Sequence, residues 1–523
     1  MSIISVTPLS QALSLGAIFL LTLVIPKVLR WRARMNKTLN MNCLHSSTPY
    51  LPWAHPDFSH PTEVPGDSRN MLEKSSGRLP KGDTSFFLAV HFYAQARTIY
   101  VNGQAFKIPH IDRWEVVVSG KEMIEDMKKA SDMDLSFVEA LRESMQSDYT
   151  LGAAPAQDPY HIAVVRTPLT RNLGARFDDI REEIVLAMQD QIPAKGVDHY
   201  DSPILCPIIF GEASEWIKVP MLYTVMKIVS RTSNRFFVGA PLSLYASSRQ
   251  MFLLAVKRAT KHLEPLILER LRKEEEYGSS EWPDKPNDLI SWLLDEAQGE
   301  RRNNIISNIV LRVLHINFGA IHTTSITFTS CLFRLAGNPE LVQILREEVE
   351  PIIKELGWSK ATMGQMKKLD SFMKETQRLS GNVGATSMNR MALRDFTFSN
   401  GTVIPAGTIV SVASYAMNRD DEIYEEADTL NPFRFSNMRA QEGESTKHQM
   451  AGLDPSYMLF GGGRQMCPGR FFAVNELKAL LAHVLVTYDL KFENGGEYPP
   501  DEWQGASVNP NRSAMVMFRK RAA

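Results

Sequence analysis

The segment Phe460-Gly461-Gly462-Gly463-Arg464-Gln465-Met466-Cys467-Pro468-Gly469-Arg470 restricts the fold of this chain more than any other. Three successive glycines open backbone conformations closed to other residues and let a flat ligand come close. Cys467 stands just ahead of a helix expected over 470–487, where unpaired backbone N–H groups and the helix dipole favour a thiolate. Pro468 is expected in the first turn of that helix, where proline is tolerated. A glycine-rich turn with an incidental buried cysteine competes with this reading for any shorter piece of the string. Taken whole, the string is far more specific. The other cysteines, Cys43, Cys206 and Cys331, lack C-x-x-C spacing, which argues against a structural zinc site and against a disulfide framework.

Around this loop the pattern is mostly helical. Amphipathic periodicity predicts helices over 177–191, 221–237, 249–276, 286–297, 302–335, 338–356 and 366–379. Phe86 to Phe92 and Trp114 to Val118 read as strands, with Asn102-Gly103 turning a hairpin between 99–101 and 105–108. After Gly381 the texture becomes β-rich, with strands expected at 396–398, 403–404 and 408–412. The fold class is therefore mainly α with a small β-rich subdomain. Net charge is −1 at pH 7, with no basic excess, so a nucleic-acid partner is excluded.

The front of the chain reads differently. Met1 to Pro26 carries no charge, Ala12 to Ile25 is almost continuously apolar, and Lys27, Arg30, Arg32, Arg34 and Lys37 follow. This predicts a single transmembrane helix at 1–29 with the body on the cytoplasmic side. A cleaved signal peptide would place its positive charge before the apolar run. Residues 30–82 are basic and then proline-dense, a stiff linker, and the body spans 83–523.

The 460–470 loop resembles the cysteine loop of the cytochrome P-450 superfamily. The commonest form of that loop is Phe, two residues, Gly, Arg, two residues, Cys, one residue, Gly. Phe460, Gly463, Arg464, Cys467 and Gly469 match it in full. The resemblance implies a cytochrome P-450 fold and a haem b (iron protoporphyrin IX) held through Cys467 as axial iron ligand, with Phe460 beside it and Arg464 on a propionate. A thiolate ligand pushes electron density towards O–O cleavage. Glu375-Thr376-Gln377-Arg378 is similar to the family's E-x-x-R helix signature, and Arg434 supplies its second arginine. Together Glu375, Arg378 and Arg434 imply a buried structural network. By the same resemblance Arg166 and Arg390 reach propionates, although the tryptophan four residues before Arg166 is Ile162. His161 is a neighbouring substitute donor.

Phe318-Gly319-Ala320-Ile321-His322-Thr323-Thr324 resembles the family's central helix over the haem. Thr323, with Thr324 beside it, inherits the hydroxyl that handles protons, a job suited to a polar group in a dry pocket. His322 replaces the usual acid; it either relays protons or is a helix-face histidine satisfied by a carbonyl or by substrate. This A-I-H-T-T variant resembles fungal enzymes of terpenoid and other secondary metabolism. The implied activity is monooxygenation of a hydrophobic substrate, a terpenoid, with O2 and electrons from NADPH through a cytochrome P-450 reductase. The implied location is the endoplasmic reticulum membrane. A desaturating or rearranging family member is the alternative, as is a non-catalytic haem protein, because 203–250 departs from the family's pocket roof.

Overall fold

The computed structural model describes residues 105–109, 113–150, 152–193, 216–239, 252–278, 282–380, 384–454, 456–504 and 506–521. The expected membrane helix, the linker, the strand at 86–92, the Asn102-Gly103 turn and the apolar 204–210 stretch lie outside these residues. The chain divides into two units, 1–140 with 388–413, and 141–387 with 414–523.

The smaller unit is built on a five-stranded sheet in the order Phe106–Pro109, Trp114–Val118, Ile409–Val412, Ser387–Ala392, Leu135–Ser136. Phe106–Pro109 runs antiparallel to Trp114–Val118, with Phe106 opposite Val117, while the 99–101 strand expected to pair with it lies outside the described residues. Trp114–Val118 then pairs in parallel with Ile409–Val412. Val116, Val117 and Val118 are all buried, and such an unbroken apolar run suits a strand covered on both faces. The buried Ser411 hydroxyl donates to Glu115, satisfying the polar groups on this pair of strands.

The larger unit is helical. Its principal helices are α1 (Phe177–Gln191), α2 (Met221–Val238), α3 (Phe252–Tyr277), α4 (Leu289–Glu296), α5 (Ile305–Ala336), α6 (Pro339–Leu356), α7 (Lys367–Ser380) and α8 (Arg470–Thr487). Each coincides with a predicted helix to within a few residues. Starts are set by side chains: Asn338 accepts from the Leu341 N–H at α6, with Pro339 as first helical residue, and Asp288 accepts from the Ser291 N–H at α4. Helix α5 lies at the centre, packed by α2, α3, α7 and α8. It is long and apolar enough to cross a membrane. Phe328, Leu332 and Phe333 are nevertheless fully buried within the protein, which makes it a core helix. A three-stranded sheet of Ile217–Pro220, Met515–Lys520 and Tyr488–Lys491 closes the unit.

Candidate functional site

The cysteine loop folds back on itself. The Cys467 N–H donates to the Phe460 carbonyl at 2.8 Å, and the Gly461 N–H to Met458 at 3.0 Å. Gly461 and Gly463 have φ of 67° and 72°, conformations that strain other residues. Helix α8 begins at Arg470 behind Gly469, so Pro468 lies in the turn before the helix and not in its first turn as expected. That turn brings the Gly469 and Arg470 N–H groups onto the Cys467 sulfur. Burial outweighs them and pushes the thiol pKa above its ordinary value. The expected helix-terminus stabilisation is present but does not by itself make a thiolate. Coordination to a metal ion does, because a ligating thiol is deprotonated outright.

The run 161–172 supports this loop. A Cβ on Gly469 would meet Val165 at 3.6 Å, and Arg166 Nη2 donates to the Arg464 carbonyl at 3.3 Å. Both guanidiniums are exposed, and among the described residues neither pairs with a carboxylate. Nearby, Arg312 is buried over the Tyr160 ring at 3.6 Å and reaches His161 Nδ1 at 3.0 Å. A guanidinium only donates, so His161 Nδ1 accepts and the imidazole proton sits on Nε2. Burial and Arg312 drive the His161 pKa down to about 3.

Glu375 and Arg378 are fully buried on α7. Arg378 binds Glu375 through Nε at 2.9 Å and Nη2 at 2.8 Å, and Arg434 Nε reaches the same carboxylate at 3.3 Å. The Asn431 N–H adds a fourth bond at 3.0 Å. The three residues meet as the family resemblance implied.

In the middle of α5, Gly319, His322 and Thr323 are exposed although the helix is buried on either side. A Cβ on Gly319 would meet nothing within 4 Å. Thr323 Oγ1 donates to the Gly319 carbonyl at 2.8 Å, whereas Thr324 is buried and turned away from that opening. His322 packs edge-on against Phe318 with ring centroids 5.4 Å apart. Although His322 is open on one side, the protein crowds its ring closely enough for desolvation to lower its pKa. Its neutral form carries one donor and one acceptor nitrogen.

A family model for cytochrome P450 matches residues 171–518. The chain belongs to the cytochrome P-450 family. It is 40% identical over 473 residues to cytochrome P-450 monooxygenase 151 of Postia placenta, covering 84% of this chain and 91% of that protein. It is 33% identical to monooxygenase CYP512U6 of Ganoderma lucidum, over 80% of this chain and 84% of the relative. The heme domain of cytochrome P-450DA superposes with a TM-score of 0.61 at 17% identity, over 83% of this chain and 92% of that one, which shows a shared fold. This cytochrome P-450 is a monooxygenase, and the family uses haem, a redox partner and hydrophobic substrates.

The residues present fit a haem. Cys467 offers a sulfur under two N–H groups, Arg166 and Arg464 offer cations that no carboxylate meets among the described residues, and the opening at Gly319 leaves room beside α5. Phe460 and Ala320 pack on one hydrophobic core. Arg390 belongs to the other unit; it is buried there, its Nη1 donates to the Asn389 carbonyl at 2.8 Å, and desolvation lowers its pKa to about 10.

Two features were missed in the sequence. Glu476 on α8 is fully buried and accepts from Thr232 at 2.7 Å and Ser233 at 2.9 Å on α2. Arg312 is the other. Each had a visible signal, a charge set among apolar helix residues, within Val474-Asn475-Glu476-Leu477 and Val310-Leu311-Arg312-Val313.

Proposed function

We propose that Cys467 is the proximal thiolate ligand of haem b in a monooxygenase that oxidises a hydrophobic terpenoid. On this reading electrons come from NADPH through a membrane-bound reductase, and residues 1–29 anchor the 83–523 body to the endoplasmic reticulum membrane through the 30–82 linker. The observation that carries it is the cysteine loop, with the Cys467 N–H bound to Phe460 and two N–H groups on its sulfur.

Haem, when bound, supplies oxygen activation and the oxidising power. The chain's own residues hold and shield it. The loop fixes the sulfur, because each backbone bond around Cys467 limits its swing. Arg166 and Arg464 would pair with the propionate carboxylates of the bound haem. Thr323 holds a proton on Oγ1 at the opening, and the Phe318–His322 pair contributes an apolar wall with one neutral polar edge. The terpenoid class rests on the A-I-H-T-T variant and on the fungal origin of the relatives.

Carbon monoxide difference spectroscopy on reduced membranes tests the ligand. The expected result is a Soret band at the thiolate position, lost in Cys467→Ala. A band at that position in the alanine variant overturns the assignment. Turnover of a terpene panel with reductase and NADPH, compared with peroxide, tests the substrate class and separates monooxygenation from desaturation.

A further inference from the structure

A second polar site lies away from the cysteine loop, between the C-terminal half of α5 and the end of α7. Gln377 is 1% exposed, yet among the described residues neither its carbonyl nor its NH2 finds a partner. Leaving both ends of a buried amide unpaired is costly, and native proteins rarely do it. Thr376 and Ser330 are fully buried, and Ser380 is 3% exposed. The Thr376 hydroxyl faces the Cys331 thiol. Ser330 and Ser380 both face the Tyr498 hydroxyl, which itself donates to Asp501 Oδ1 at 2.9 Å. Arg334 lies over the Tyr498 ring at 4.6 Å with its Nε unpartnered. Gln377 and Ser380 stand three apart on α7, so they share a helix face.

We propose that this seam is a water-binding site, a chain of hydrogen-bonded waters anchored on Gln377 and opening to solvent at Asp501. The ligand class follows from the lining. Hydroxyls, an amide and a guanidinium nitrogen offer both donors and acceptors, which suits water and not an ion of either sign. Asp501 is only half-buried, and this gives the chain its outlet. The inner end points along a polar stripe on α5. Thr323, Thr327, Ser330 and Arg334 recur at four-, three- and four-residue steps, on one face. The Thr327 hydroxyl donates to the Thr323 carbonyl at 2.9 Å. The waters therefore begin about three turns of helix from Gly319 and about two from Thr323.

The sign of one substitution tests this. Gln377→Met keeps the length of the side chain and removes both polar ends. In a hydrated seam the waters lose their anchor and the thermal midpoint of the full-length holoprotein falls. In a dry seam the change deletes an unsatisfied amide, and the midpoint rises or stays level, which overturns the proposal. A crystal structure of the unsubstituted holoprotein gives an independent reading should the variant not fold. Water density within hydrogen-bond distance of both Gln377 side-chain ends supports the site, and protein atoms filling the seam refute it.

Discussion

Glu375 and Glu476 are the same residue, each fully buried in a helix of the larger unit, and their surroundings are opposite. Glu375 meets two guanidiniums and a backbone N–H. Glu476 meets two hydroxyls and no cation among the described residues. Burial without a counter-charge raises the Glu476 pKa to about 7. Partners, not depth, decide what a buried carboxylate does: one ties the 375–378 turn to the 431–434 segment, the other changes charge near neutrality.

The largest effect is expected at the first. Glu375→Ala leaves Arg378 and Arg434 without a carboxylate and should cost about 3–5 kcal/mol, read by chemical denaturation or, where the variant does not accumulate, by loss of bound haem. A loss under about 1 kcal/mol would mean that the paired and unpaired carboxylates do not differ in kind. Glu476→Gln comes next, and its effect depends on pH. The folded protein holds this proton more tightly than the unfolded chain does. The stabilisation is therefore full below about pH 4.5 and disappears as pH rises through 7. Stability should fall by about 3 kcal/mol across that window in the parent, and by that much less in the glutamine variant. Equal pH profiles would break the comparison. Thr232→Val removes one of the two hydroxyl donors, should cost about 1–2 kcal/mol, and should move the midpoint of that profile upward. The smallest stability effect is expected at the exposed Thr323→Val, within about 0.5 kcal/mol. That variant should instead lower product formed per NADPH consumed, measured with reductase.

Much of this was legible in the sequence, for reasons that differ by place. Helices such as Phe177–Gln191 were found at their true ends because an apolar stripe at helical period is a local property, and Arg470–Thr487 because a long, nearly unbroken apolar run of good helix formers follows the cysteine loop. The Glu375–Arg378 pair was legible because three-residue spacing puts both on one helix face. The Glu476 partners were not, because Thr232 lies 244 residues away and only tertiary packing brings α2 against α8. Pro468 was placed inside the helix although it lies two residues before it, because a proline tolerated at a helix start is equally at home in the turn before it. Thr324 read like Thr323 because adjacent letters carry no facing, yet one hundred degrees of helix separate a buried hydroxyl from an exposed one.

The sheet of the smaller unit has a consequence for synthesis. Its second strand carries Glu115, and the hydroxyl that satisfies that carboxylate is on Ser411, 296 residues later. The parallel partner of Val118, Val412, is equally late. A chain emerging from the ribosome therefore carries a strand of three consecutive valines long before its neighbour exists. Such a strand is a template for wrong pairings while it waits. Until residue 412 has been made, the early strands need a chaperone or another surface to cover them, and a nascent chain arrested before that point should be far more prone to aggregate than one arrested just after it.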